Sequence, residues 1–183
     1  VSSVLCSFGS RFVFPQLSLE GHGFWIIGLA PTTMRRVLVA KFFVALAGMS
    51  VVSLTLMHLS TAMLQVDWVM RSVALGIAVS VSITISGLST GLGAIFIDLR
   101  QQNPSAIISG FGGTLNLVLS LAYMFLAIVP FAMVFHMRAT GHIGASNMGG
   151  AMALAGGWLA LLTLALSVLP LILGARSLAR REY

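Results

Sequence analysis

Residues 72–97 read SVALGIAVSVSITISGLSTGLGAIFI, 26 residues without one Asp, Glu, Lys or Arg. A helix needs roughly 20 mostly apolar residues to cross about 30 Å of hydrocarbon. A helix buried in a soluble core rarely runs so long without a polar stripe. Residues 42–64, 111–135 and 151–174 are equally free of those four residue types. The chain therefore reads as an all-α polytopic bundle with four full membrane spans. Its composition agrees: of 183 residues 58% are hydrophobic and 8% charged, with a mean hydropathy of +1.03. A soluble fold of this size carries about a quarter charged residues.

The first 14 residues are largely apolar, with Arg11 near their end, and lack both the basic start and the cleavage site of a signal peptide. They read as the end of a further span, which makes the chain the C-terminal piece of a longer protein. Residues 15–41 then form a loop with an interfacial helix, 42–174 the four-span bundle, and 175–183 a basic tail.

The formal charge of +6 invites a nucleic-acid reading, but the ten Lys and Arg residues are too sparse for a phosphate-tracking stripe. Their distribution instead follows membrane topology. Arg11, Arg35, Arg36, Lys41, Arg100, Arg176, Arg180 and Arg181 lie on one side of the spans, and only Arg71 and Arg138 on the other. Cytoplasmic flanks carry the excess of Lys and Arg. Loops 15–41 and 98–110 and the C terminus are thus expected in the cytoplasm, with 65–71 and 136–150 outside. The expected location is a prokaryotic cytoplasmic membrane, with the lipid bilayer as a partner and no nucleic acid.

Within 72–97 the small residues Gly76, Ser80, Gly87 and Gly91 recur at spacings near four or its multiples, as do Ser82, Ser86 and Thr90. Small residues at that spacing let helix backbones approach closely in lipid. Two roles stay open for this face and for Asn116 in the third span: contact between helices, or the lining of a path when helices part.

The chemical motifs are few. Gly87-Leu88-Ser89-Thr90-Gly91 fits G-x-S-x-G, but no strand precedes it to build a nucleophile elbow. Ser89 with His58 of the first span would be the reagents of an intramembrane serine protease, and Ser146 beside His142 is a looser candidate. His136 and His142 read as solvated loop residues, or as a metal or pH site. No pair of the four His residues has the i, i+4 spacing of a metal site, and a single Cys, Cys6, excludes multi-Cys sites. The only lysine, Lys41, follows Ala40, so the chain has no P-loop. It is expected to bind no cofactor itself and to have no enzymatic activity of its own.

Two cytoplasmic stretches are richer than connectors need to be. In the first, Glu20-Gly21 leads to the apolar cluster Phe24, Trp25, Ile26 and Ile27, and Pro31 ends that element. Thr32 or Thr33 then offers an N-cap, with Arg35, Arg36 and Lys41 reaching for headgroups. In the second, Asp98 and Arg100 precede Asn103 as N-cap and Pro104 at the first helical position. Gly110, Gly112 and Gly113 read as a flexible lead-in to the third span.

On Glu20, Gly21, Phe24, Trp25, Pro31, Arg35, Arg36 and Lys41, and on Asp98, Arg100, Asn103, Pro104, Ser109, Gly110, Gly112 and Gly113, the chain resembles the membrane subunit of ABC exporters. The likeness is to the ABC-2 permease class. It extends over residues 12–123. The resemblance implies that the first loop, from Glu20 to Pro31, docks on an ATP-hydrolysing subunit. The spans would form half of a substrate path, completed by a second permease copy or an N-terminal half. ATP and Mg would be held by the partner subunit. The alternatives are the serine protease and a secondary transporter.

Overall fold

A computed structural model of the chain describes residues 1–23, 33–98, 103–142 and 144–180. Helix α1 (Ser2–Phe8) runs on through a π-helical turn (Gly9–Val13) and two 3-10 segments (Phe14–Gln16 and Ser18–Gly23). Then come α2 (Met34–Met63), α3 (Trp68–Ile95), the short α4 (Pro104–Ser109), α5 (Phe111–Ala139) and α6 (Ala145–Ala179). The described residues contain no strand. The protein is all-α, and α2, α3, α5 and α6 are long and apolar enough to cross a membrane, with mean hydropathies of 1.8 to 2.4.

These helices outrun most of the charge-free windows. Arg35, Arg36 and Lys41 lie inside α2, Arg71 inside α3, Arg138 inside α5 and Arg176 inside α6. The reason is that Arg and Lys are good helix formers, and their long stems carry charge to water while the backbone continues. The loop expected over 136–150 therefore shrinks to the few residues between α5 and α6. His136 sits in the last turn of α5, where a basic group suits the helix dipole. Gly141, at φ +76°, closes that helix: its N–H bonds the Arg138 carbonyl while the His142 N–H bonds that of Met137. That is the Schellman arrangement, in which the left-handed position favours Gly.

Two further expectations about helix ends divide. Asn103 caps α4, its Oδ1 accepting from the Ser105 N–H at 3.0 Å, with Pro104 in the first turn. Thr33 occupies the N-cap of α2 but makes no side-chain cap bond. Gly112 and Gly113 are no flexible lead-in, because both are buried within α5. A Cβ on Gly112 would come 2.7 Å from Phe96 Cβ, and one on Gly113 would overlap the Ile108 carbonyl. They are glycine for closeness.

Helix α3 is the centre of the bundle: 61% of its apolar window is buried, against 22 to 28% for the other three spans. Interhelical contacts give the directions. Ser53 meets Ala78 while Met49 meets Ser82, so α2 and α3 are antiparallel. Gly87 meets Ser167 and Gly91 meets Pro170, so α3 and α6 are parallel. Tyr123 meets Thr163 and Leu126 meets Trp158, so α5 and α6 are antiparallel. The N-terminal segment packs along α3 and α5, burying Leu5, Cys6, Val13, Phe14 and Leu17.

Candidate functional site

Where α3 meets its neighbours the bundle interior is polar but uncharged. Ser82, Thr84, Ser86, Ser89 and Thr90 of α3, Asn116 and Ser120 of α5, and Thr163 and Ser167 of α6 are all buried. Ser89 Oγ lies 3.1 Å from Asn116 Nδ2, from which it accepts, and 3.2 Å from Oδ1, to which it donates. One residue along, Thr90 Oγ1 accepts from Gln16 Nε2 of the N-terminal segment at 3.2 Å. Ser82 Oγ donates to its own helix at the Ala78 carbonyl, 2.9 Å away, and stands 3.5 Å from the Met49 carbonyl of α2. Tyr123 and Thr163 share a hydrogen bond of 2.9 Å across α5 and α6. In lipid such bonds hold helices together because the groups have no water to turn to. Ser86 Oγ and Ser120 Oγ are buried with no hydrogen-bond partner among the described residues.

Gly87 and Gly91 let the backbones of α3 and α6 approach closely. A Cβ on Gly87 would stand 2.7 Å from Ser167 Cα, and one on Gly91 would overlap the Pro170 backbone. Gly174 returns the favour from α6, its Cβ position lying 2.7 Å from the Gly91 carbonyl oxygen. Gly76, by contrast, faces open space. The small-residue face thus packs α3 on α6, and the polar residues beside it join α3 to α2, α5 and the N-terminal segment. In this conformation the face is closed.

The protease pairing does not form. Ser89 is occupied by Asn116, while His58 on the exposed side of α2 accepts from Arg71 Nη2, 3.0 Å from its Nδ1. The sequence pattern offered Ser and His but not their faces. Among the described residues no three His, Cys, Asp or Glu side chains come together as metal ligands.

At the other end of the bundle, Glu20 and Lys41 form an ion pair of 2.6 Å that ties the segment before α2 to its second turn. Gly21 falls in the 3-10 segment that ends at Gly23, and the Asp98 N–H donates to Ser18 Oγ at 3.2 Å. Asn103 and Pro104 start α4. Arg35 and Arg36 are exposed in the first turn of α2, where the helix dipole opposes a cation. That placement is one for headgroups or an acidic partner rather than for helix stability. Phe24, Trp25, Pro31 and Arg100 lie outside the described residues.

Sequence reasoning missed Gln16, Ser53, Tyr123, Thr163 and Trp158, all of which make interhelical bonds. Their signal was a polar atom in an apolar run, which says that a partner is needed but not which one.

A model of the family described as "Putative ATP-binding cassette" matches residues 1–183. The chain belongs to that family. No curated protein and no solved structure matches it. As a member of the Putative ATP-binding cassette family the chain is unlike its family's name in one respect: four long apolar helices make up most of it, and it holds no P-loop.

Proposed function

We propose that the chain is the permease part of an ATP-driven exporter, forming one half of a substrate path and docking on a separate ATP-binding subunit that holds ATP and Mg. The observation that carries this reading is the whole-chain match to an ATP-binding cassette family by a sequence of apolar spans with no phosphate-binding lysine motif. The nucleotide chemistry of such a system must then lie outside these residues. The long helices contain no Asp or Glu, so no carboxylate is available within them for a proton relay.

In this reading the end bearing Glu20, Lys41, Arg35 and Arg36 faces the cytoplasm, in accord with the excess of Lys and Arg there. The loop from Glu20 to Pro31 meets the ATPase, with the Glu20–Lys41 ion pair tying the start of that loop to α2. The closed face of Ser82, Ser86, Gly87, Thr90, Gly91 and Asn116 opens when α3 and α6 part.

The test is the ATPase activity of the partner subunit with the full-length protein present. Glu20→Arg and Trp25→Ala should each lower the association or stimulation while leaving membrane insertion intact. Truncating an aromatic anchor at an interface costs over about 2 kcal/mol. Normal stimulation in both variants would return the loop to a role at the lipid surface.

A further inference from the structure

An open groove of about 550 Å³ lies between α2 and α3 near the turn that joins them, lined by Leu54, Thr55, His58, Leu59 and Leu75. Leu54 and Leu59 are 37% and 57% exposed, so the groove opens on the outside of the described bundle, along two helices apolar enough to cross a membrane. An apolar groove on such a surface takes up an acyl chain. What distinguishes this one is the cation beside it.

Arg71 reaches back from the first turn of α3 to His58, its Nη2 donating to the ring Nδ1 at 3.0 Å. The bond holds the guanidinium beside a residue that lines the groove, and among the described residues its Nε and Nη1 groups make no hydrogen bond. Among the described residues Arg71 makes no ion pair; Asp67, the N-cap residue one turn earlier, does not take it. The site also sits where the α3 dipole disfavours a cation, so helix stability does not account for it. Trp68, 79% exposed and one turn from Arg71, is the kind of side chain that marks headgroup depth.

We infer that this groove is a site for an anionic phospholipid, with an acyl chain along Leu54, Leu59 and Leu75 and the phosphate held by Arg71. Guanidinium groups bind phosphate oxygens through paired, charge-assisted hydrogen bonds. His58 is a positioning residue that acts through Arg71. The site does not depend on which side of the membrane the α2–α3 turn faces, nor on how transport is driven.

The experiment is native mass spectrometry of the full-length protein in detergent, titrated with phosphatidylglycerol and, separately, with phosphatidylcholine. The wild-type protein should retain phosphatidylglycerol in preference to phosphatidylcholine. Arg71→Gln should weaken phosphatidylglycerol about tenfold, the loss expected for hydrogen bonds to a charged group, and Arg71→Lys should recover part of it. Leu59→Trp, which fills the groove and keeps the cation, should lower retention of both lipids. The wild-type comparison needs no variant to fold: equal retention of the two lipids, or none of either because another helix fills the groove, overturns the assignment. So does an undiminished preference in Arg71→Gln.

Discussion

The indole N–H of Trp158 donates to the carbonyl of Leu126 at 3.1 Å. Leu126 stands four residues before Pro130, which lies inside α5 and has no N–H to give. A carbonyl so orphaned in lipid has no water to bond. Helix α6 supplies the missing donor, and a local defect in α5 becomes a tie between two spans.

Trp158→Phe keeps an aromatic ring, though a smaller one, and removes the donor, so the lost bond should lower the unfolding stability of the bundle by about 1 kcal/mol, in the range for interhelical bonds in membranes. Pro130→Ala restores the N–H within α5. In that background Trp158→Phe should have much less effect, and a double-mutant cycle from chemical unfolding in micelles measures the difference. An equal loss in both backgrounds would mean that Trp158 stabilises by packing alone.

That tie also shows what can be read from sequence and what cannot. The spans were legible because long apolar runs are decided locally, and Asn103 and Pro104 were legible as a helix start for the same reason. Helix ends were not, because Lys41, Arg71, Arg138 and Arg176 end an apolar window without ending a helix. Gly87 and Gly91 announced close packing by their spacing, whereas Gly112 and Gly113 passed for flexibility because their contacts, Phe96 and Ile108, belong to other elements. Asn116 announced the need for a partner, and only the register of α3 against α5 supplies Ser89. The side chains of the proposed docking loop beyond Glu20 stay a sequence-based expectation.

Gly87→Leu or Gly91→Leu should disrupt the bundle, since each adds a side chain where the α6 backbone already fills the space of a Cβ; overpacking costs about 1 to 3 kcal/mol or more. Gly76→Leu, in open space, should be tolerated. Ser89→Ala should fall between them, losing both bonds to the buried Asn116 amide at about 1 to 3 kcal/mol. Detergent-resistant folding, followed by size-exclusion chromatography against temperature, ranks the four. Covalent labelling of Ser89 by a serine-directed probe, or loss of a peptidase activity in Ser89→Ala with assembly intact, would restore the protease reading.

Cysteine scanning with a membrane-impermeant thiol reagent checks the proposed orientation, and Cys6, fully buried, should give little background. Single cysteines in residues 65–71 and 139–144 should react from outside the cell. Those in 98–110 should react only after the membrane is opened. External labelling of 98–110 would invert the topology and put the Glu20 loop on the wrong side for an ATPase.

The central claim, that this chain works with an ATP-hydrolysing partner, is tested most directly by mild solubilisation of membranes holding the full-length protein and identification of what copurifies. A stoichiometric subunit bearing a P-loop is the predicted result, its ATP hydrolysis abolished when the P-loop lysine is replaced. A full-length protein that carries no P-loop of its own, purifies without such a subunit, and transports only while a proton gradient is maintained would contradict the account.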